Sequence, residues 1–161
     1  GDVQALAVAV FKDEKPGDGF LKELDDLSGG FVSSAIEAEE FSGKEGETAY
    51  FHLVGNNKFK FRRLMLVGVG EEKEYRSPQV SQMTGTAVRS LRSKNVKSIG
   101  VVPRVQGKDE ETAAKAVEGR QPLRHRLLRP DHLDEMRPGG CLDHGGAHGE
   151  VIGWDLTCTR G

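Results

Sequence analysis

The sequence predicts an α/β fold: a mixed central sheet of about five or six strands with helices on both faces. Three observations carry this. An unbroken apolar run, Leu64 to Val67, lies between Arg62-Arg63 and Gly68-Val69-Gly70. It is too short for a helix, and it reads as a strand buried on both faces. Before it, Thr48 to Val54 and Lys58 to Phe61 alternate around Gly55-Asn56-Asn57 as in a hairpin. After it, Ser77 to Asn95 has helical periodicity and Lys97 to Pro103 reads as another buried strand. Strand, turn, strand, helix, strand is an α/β order.

Taken from the start, Ala5 to Phe11 is a buried strand, ended by Lys12-Asp13-Glu14-Lys15-Pro16-Gly17. Asp18 suits the N-cap of a short helix with Phe20, Leu21, Leu24 and Leu27 on one face. Ser28-Gly29-Gly30 stops it, and a second short helix follows with Phe31, Val32, Ala35 and Ile36 apolar. Phe41 to Glu47, rich in glycine and charge, reads as a loop. In the alternating stretch, Ala49, Phe51 and Leu53 share one face, while Tyr50, His52 and Val54 share the other. Phe59 and Phe61 resume the alternation and lead into a central strand. The helix from Ser77 has Ser77 as N-cap, Pro78 at its first helical position and a stripe of Val80, Met83, Ala87, Val88 and Leu91. Asp109 to Glu118 reads as a further helix with Ala113, Ala116 and Val117 inward. From Arg120 to Pro130 there is no clean period.

A chain of 161 residues fits one domain, and at this size about 70% of the unfolded surface can be buried without staples. A charged content of 30% and a net charge of −2 give no global bias toward nucleic acid. No apolar run approaches the ~20 residues of a membrane span. Cys141 and Cys158 do not make a disulfide framework. A cytoplasmic protein with no nucleic-acid and no membrane partner is expected.

Composition changes along the chain. Residues 1–119 hold all eleven lysines, all seven phenylalanines and both tyrosines, whereas residues 120–161 hold four of the five histidines, both cysteines, the one tryptophan and six of the twelve arginines. At the upstream rate the last stretch should carry roughly four lysines. We therefore expect three parts: residues 1–119 as the α/β domain, 120–148 as an irregular, frameshifted or disordered segment, and 149–161 as the start of a linker helix.

Candidate chemistry is sparse. Gly68-Val69-Gly70 after a buried strand suggests a dinucleotide turn, but the third glycine is missing and Glu71-Glu72 stand where a phosphate would lie. A strand-end turn explains it better. Cys141, His144 and His148, with Asp131, His132, Asp134 and Asp143 nearby, have the residue types of a zinc site. Glycines surround them in place of a scaffold, so no metal site is expected. Arg89, Arg92, Lys94 and Lys97 cluster near a helix end, where cations suit the macrodipole without a phosphate ligand. Met83 reads as core filler, His52 as an ordinary strand residue, and Asp25-Asp26 and Glu39-Glu40 as solvated faces. No serine-nucleophile motif and no His-Glu-x-x-His helix is present. No catalytic, cofactor-binding or metal residue is expected in this chain.

Ala5 to Phe11, Leu21-Lys22-Glu23-Leu24-Asp25, Gly43-Lys44-Glu45-Gly46-Glu47-Thr48, Arg63 to Gly70 and Ala87-Val88-Arg89 occur in that order. Together they resemble the N-terminal domain of the M17 cytosolic leucyl aminopeptidases over about residues 3–119. The resemblance implies a macro-domain-like α/β sandwich without catalytic residues. In the family a second, C-terminal domain holds two zinc or manganese ions that activate water for attack on the N-terminal peptide bond. This chain lacks the family's Asn-Thr-Asp-Ala-Glu-Gly-Arg metal motif. Gly149 to Gly153 and Thr159-Arg160 look like the approach to that domain, whereas Arg120 to Ala147 resembles nothing in it. The implied role is a non-catalytic, scaffolding part of a hexameric aminopeptidase, inactive alone, with the catalytic domain of the same polypeptide as partner. The alternative is a free-standing macro-like module binding ADP-ribose or a nucleotide near Gly68 and Gly70.

Overall fold

The first strand, β1 (Ala5–Val10), lies at the middle of the sheet, and all six of its residues are buried. The computed structural model describes residues 3–17, 19–53, 61–105, 109, 111, 112, 115 and 124–131. The elements follow as α1 (Gly19–Ser28), α2 (Phe31–Glu37), β2 (Thr48–His52), β3 (Arg63–Gly68), α3 (Ser77–Ser93), β4 (Ser98–Val102) and β5 (Arg124–Leu127). A single turn of 3-10 helix, Glu72–Glu74, precedes α3. The five strands are ordered β2-β3-β1-β4-β5. β1 pairs in parallel with β3 (Ala5 opposite Arg63) and with β4 (Ala5 opposite Ile99), and β4 pairs in parallel with β5. β2 is antiparallel to β3, with Thr48 opposite Val67, so the sheet is mixed as expected.

The alternation of side chains across the sheet divides the core in two. Leu6, Val8, Leu64, Leu66 and Val102 point to one face, under Leu21, Leu24 and Leu27 of α1 and Val32 and Ala35 of α2. Ala5, Ala7, Ala9, Met65, Val67, Ile99 and Val101 point to the other, under Val80, Met83, Ala87, Val88 and Leu91 of α3. Alanines on that face of β1 let α3 pack close. Leu64 and Leu66 have no exposed area, and each such burial contributes about 1.5–3 kcal/mol. The continuous apolar run of β3 is therefore a strand covered on both faces. It is not the middle strand, however. β3 is an interior strand with both edges paired, to β2 and β1, and β1 holds the middle place because β4 and β5 extend the sheet on its other side.

The helix ends show where local chemistry differs from the sequence reading. α3 starts one residue earlier than expected: Arg76, with extended backbone, is the N-cap. Ser77 is already helical, and its hydroxyl donates to Asp109 Oδ1 at 2.6 Å. At the other end Asn95 takes φ 59°, Asn95 N–H donates to Arg92 O and Val96 N–H to Leu91 O. This is a Schellman closure with an apolar contact from Val96 to Leu91, both buried. Asp25 is not merely solvated. Its carboxylate accepts the Ser33 N–H at 2.7 Å, satisfying an orphan donor in the first turn of α2. Asp26 is exposed and pairs with Lys22 at 2.8 Å, and Glu39 and Glu40 are exposed as expected.

A second correction concerns residues 120–148, read as irregular. Arg124–Leu127 is a strand paired with β4. Four residues without apolar alternation give no sequence signal, and their backbone pairs with Ser98 to Val101 of β4. Leu128 follows, 3% exposed, with its N–H donating to Val101 O at 2.7 Å. It fills the space above Gly100, where a Cβ would lie 2.8 Å from Leu128 Cδ1. Asp109, Glu111, Thr112 and Lys115 have helical backbone, and Glu111 pairs with Lys115 at 2.7 Å. The expected cap at Asp18, the hairpin loop Gly55-Asn56-Asn57, the inward Ala113, Ala116 and Val117, and everything after Asp131 lie outside the described residues.

Candidate functional site

Open α/β sheets bind ligands beyond the carboxyl ends of their strands, where neighbouring strands send their connections to opposite faces. β1 leads to α1 and α2 on one face, and its neighbour β3 leads to α3 on the other. The candidate crevice therefore lies at Phe11–Asp13 and Gly68–Gly70. It is filled by the chain itself. Lys12 N–H donates to Gly70 O at 2.8 Å, and Asp13 N–H to Ser42 O at 2.9 Å. Gly70 N–H donates to Gly43 O at 3.0 Å, Gly46 N–H to Gly68 O at 3.1 Å and Gly68 N–H to Glu47 O at 2.7 Å. The loop of residues 41–47 thus lies directly across the strand ends.

Two glycines make this crossing possible. A Cβ on Gly68 would fall on the Lys44 carbonyl oxygen and 2.7 Å from the Gly43 carbonyl carbon. A Cβ on Gly43 would fall on the Phe11 carbonyl oxygen, and its φ of +88° favours glycine in any case. Glu47 shapes the loop from within. Its Oε2 accepts Ser42 N–H at 3.0 Å, the Ser42 hydroxyl at 3.1 Å and Lys44 N–H at 3.0 Å. Desolvation alone would raise this carboxyl, but those donors, with Gly43, outweigh it and hold the group below its ordinary value. Among the described residues, a recess of about 10 Å³ lies beside Gly68, lined by Gln79, Gln82, Met83 and Thr86 among others. That is room for about one water.

The β1–β4 side is closed by an ion pair. Arg104 Nη1 lies 2.6 and 2.8 Å from the two carboxylate oxygens of Glu14, with side-chain exposures of 15% and 18%. The same nitrogen donates to Ala9 O at 3.3 Å. The guanidinium carbon lies 4.8 Å from the ring centroids of both Phe11 and Phe20. Each such contact contributes about 0.5–2 kcal/mol. Phe11 meets Tyr75 edge-on at 5.3 Å, and the Tyr75 hydroxyl donates to Pro103 O at 2.6 Å. Burial pushes the Tyr75 phenol well up, Asp109 adds to the shift, and Arg104 opposes it.

The other residues singled out in the sequence are scattered. Glu71 and Glu72 are exposed, and Glu71 lies 3.7 Å from Lys12. His52 is exposed at the end of β2, edge-on to Tyr50 at 5.1 Å. Met83 is 2% exposed in the core. Lys94 stands 4.6 Å over the Tyr50 ring, and its carbonyl accepts Arg63 Nη1 at 3.1 Å, so a cation from β3 satisfies the carbonyl at the end of α3. Cys141, His132, Asp134, Asp143, His144 and His148 lie outside the described residues, and Asp131 is exposed. Among the described residues no three His, Cys, Asp or Glu side chains gather as metal ligands. Nor is any helix among them long and apolar enough to cross a membrane. Glu14, Glu47 and Arg104 were not foreseen, since Glu14 and Arg104 meet only when β1 and β4 become neighbours.

The model of the cytosol aminopeptidase family, N-terminal domain, matches residues 7–126. The chain belongs to the cytosol aminopeptidase family. Its N-terminal domain is what the match covers, and β5 falls largely within it. A probable cytosol aminopeptidase of Rippkaea orientalis (strain PCC 8801 / RF-1) is 33% identical over 116 residues, which is 71% of this chain and 23% of that protein. The chain thus spans about a quarter of the length of the curated relatives it matches. Among solved structures, a mutant of tomato leucine aminopeptidase superposes with a TM-score of 0.61 at 18% identity, covering 84% of this chain and 32% of that one. The macrodomain of Thermus aquaticus DarG superposes with a TM-score of 0.62 at 14% identity, covering 80% and 90%. These two likenesses establish a macrodomain-like fold in this aminopeptidase-family domain.

Proposed function

We propose that this domain is the non-catalytic scaffold of a leucyl-type aminopeptidase, packing against a C-terminal catalytic domain and helping to assemble a hexamer in the cytoplasm. The peptidase chemistry would belong to that other domain, with its zinc or manganese pair. The observation that carries the reading is the match of residues 7–126 to the family's N-terminal domain alone. The filled strand-end crevice supports it, because a nucleotide there would have to displace loop 41–47 and the Arg104–Glu14 pair. The change of composition after residue 119 supports, as part of the same proposal, a coding-frame shift within residues 120–148.

The purified 161-residue protein should release no arylamine from a leucyl-arylamide above the blank, with manganese or zinc added. Metal-dependent turnover would overturn the non-catalytic assignment. Calorimetric titration with ADP-ribose separates the macro-like alternative: submicromolar binding would favour it over the scaffold.

A further inference from the structure

The turns after β1 and β4 meet around a site with the parts of a guanidinium receptor. Phe11 and Phe20 offer ring faces, each 4.8 Å from the cation. Glu14 offers both carboxylate oxygens, and Ala9 a carbonyl. These walls are held by contacts independent of their occupant. Glu14 Oε1 accepts Phe11 N–H at 3.1 Å, which aims the carboxylate. The Phe11 ring is braced by Tyr75, and Phe20 is fixed in the first turn of α1. The occupant, by contrast, arrives on unfavourable backbone. Arg104 has φ 58°, a left-handed conformation uncommon outside glycine. Such a conformation persists where its surroundings over-determine it.

We propose that this is a preformed guanidinium cage, that Arg104 is its tethered internal ligand, and that the bound side chain keeps this end of the crevice closed. Tethering gives Arg104 an effective concentration of about millimolar or more. A free cation at comparable concentration therefore gains little in the parent protein, while the emptied cage takes a planar guanidinium in preference to an ammonium. One nitrogen, Nη1, reaches both carboxylate oxygens, so the preference rests on the flat guanidinium face, which lies against both rings as a compact ammonium cannot.

The full chain carrying Arg104→Ala is melted with methylguanidinium chloride or methylammonium chloride at equal low-millimolar concentrations. At a fivefold excess over its dissociation constant, methylguanidinium should raise the variant's melting temperature by about 2–4 °C. Methylammonium should give less than half of that, and the parent no rise with either. Adding Glu14→Gln to the variant should abolish the rescue. Equal responses to the two cations, or equal responses with and without Glu14→Gln, would overturn the cage. If Arg104→Ala does not fold unaided, it is refolded from urea in each salt. Recovery in methylguanidinium alone supports the proposal, and recovery in neither or in both refutes it.

Discussion

Gly68→Ala is the substitution that most directly tests how the strand-end crevice is filled. The added methyl would fall on the Lys44 carbonyl oxygen, with Gly43 backbone atoms at 2.7 and 2.9 Å. Backbone cannot rotate aside as a side chain can, so loop 41–47 must lift. Lifting it strains or breaks three backbone bonds: Gly68 N–H to Glu47 O, Gly46 N–H to Gly68 O and Gly70 N–H to Gly43 O. At about 0.5–1.5 kcal/mol each, the loss is about 1.5–4.5 kcal/mol. For a domain of this size 1 kcal/mol moves the melting temperature by about 2–4 °C, so a loss near 3 kcal/mol lowers it by about 6–12 °C. Urea unfolding followed by circular dichroism gives the free energy, and a thermal melt the temperature. Gly17→Ala is the control, since nothing lies within 4 Å of its Cβ position and its φ is ordinary. It should be neutral or stabilising by up to about 1 kcal/mol. A Gly68→Ala protein melting within about 1 °C of the parent would refute the crossing-loop account. The glycine would then have to be kept for something that approaches from outside.

Two further perturbations bear on the same region. The Glu47 carboxyl is held below its ordinary value in the fold, so its contribution is complete above the unfolded value of about 4.3 and fades as pH falls through the lower folded value. Melting temperature plotted against pH should fall more steeply below about pH 4.3 for the parent than for Glu47→Gln, and parallel curves would contradict this. Tyr75→Phe removes the donor to Pro103 O and leaves a buried carbonyl unpartnered, costing about 1–3 kcal/mol in urea unfolding. The phenol is pushed up by burial in the fold, so the parent should lose stability as pH rises above about 10, where the unfolded chain releases the proton first. Tyr75→Phe should lack that alkaline component.

What was legible in the sequence was whatever a short window can encode. The β3 run, the α3 stripe and the two faces of β2 are periodicities: the run and the stripe are buried, and in β2 Ala49 and Phe51 pack on one core cluster while Tyr50 packs on the other. Loop 41–47 could be read as a loop but not as a cover, because Gly43 and Gly68 matter only through backbone brought from elsewhere. Glu14 and Arg104 carry no local signal for the same reason. β5 was missed because Arg124–Leu127 neither alternates nor runs apolar, and its pairing is set by β4. The middle place of β1 was hidden too. An apolar hexapeptide does not say whether one or both of its edges will be occupied, whereas the glycines and arginines around β3 draw attention there. The one-residue error at the start of α3 arose from a serine beside a proline, a good cap in isolation that was used instead to reach Asp109.

The middle position of the first strand governs when this protein can fold. Ala5 needs Arg63 on one side and Ile99 on the other, so a strand made before both of its neighbours waits for the later of them to leave the ribosome. Until then Ala-Leu-Ala-Val-Ala-Val is an uncharged β-former with at least one open edge, the sort of segment that nascent-chain chaperones cover. Such non-local pairing also slows closure of the sheet, since the intervening chain must be ordered before any of it is rewarded. A truncation ending before Val102 would therefore leave not a smaller sheet but a sticky one.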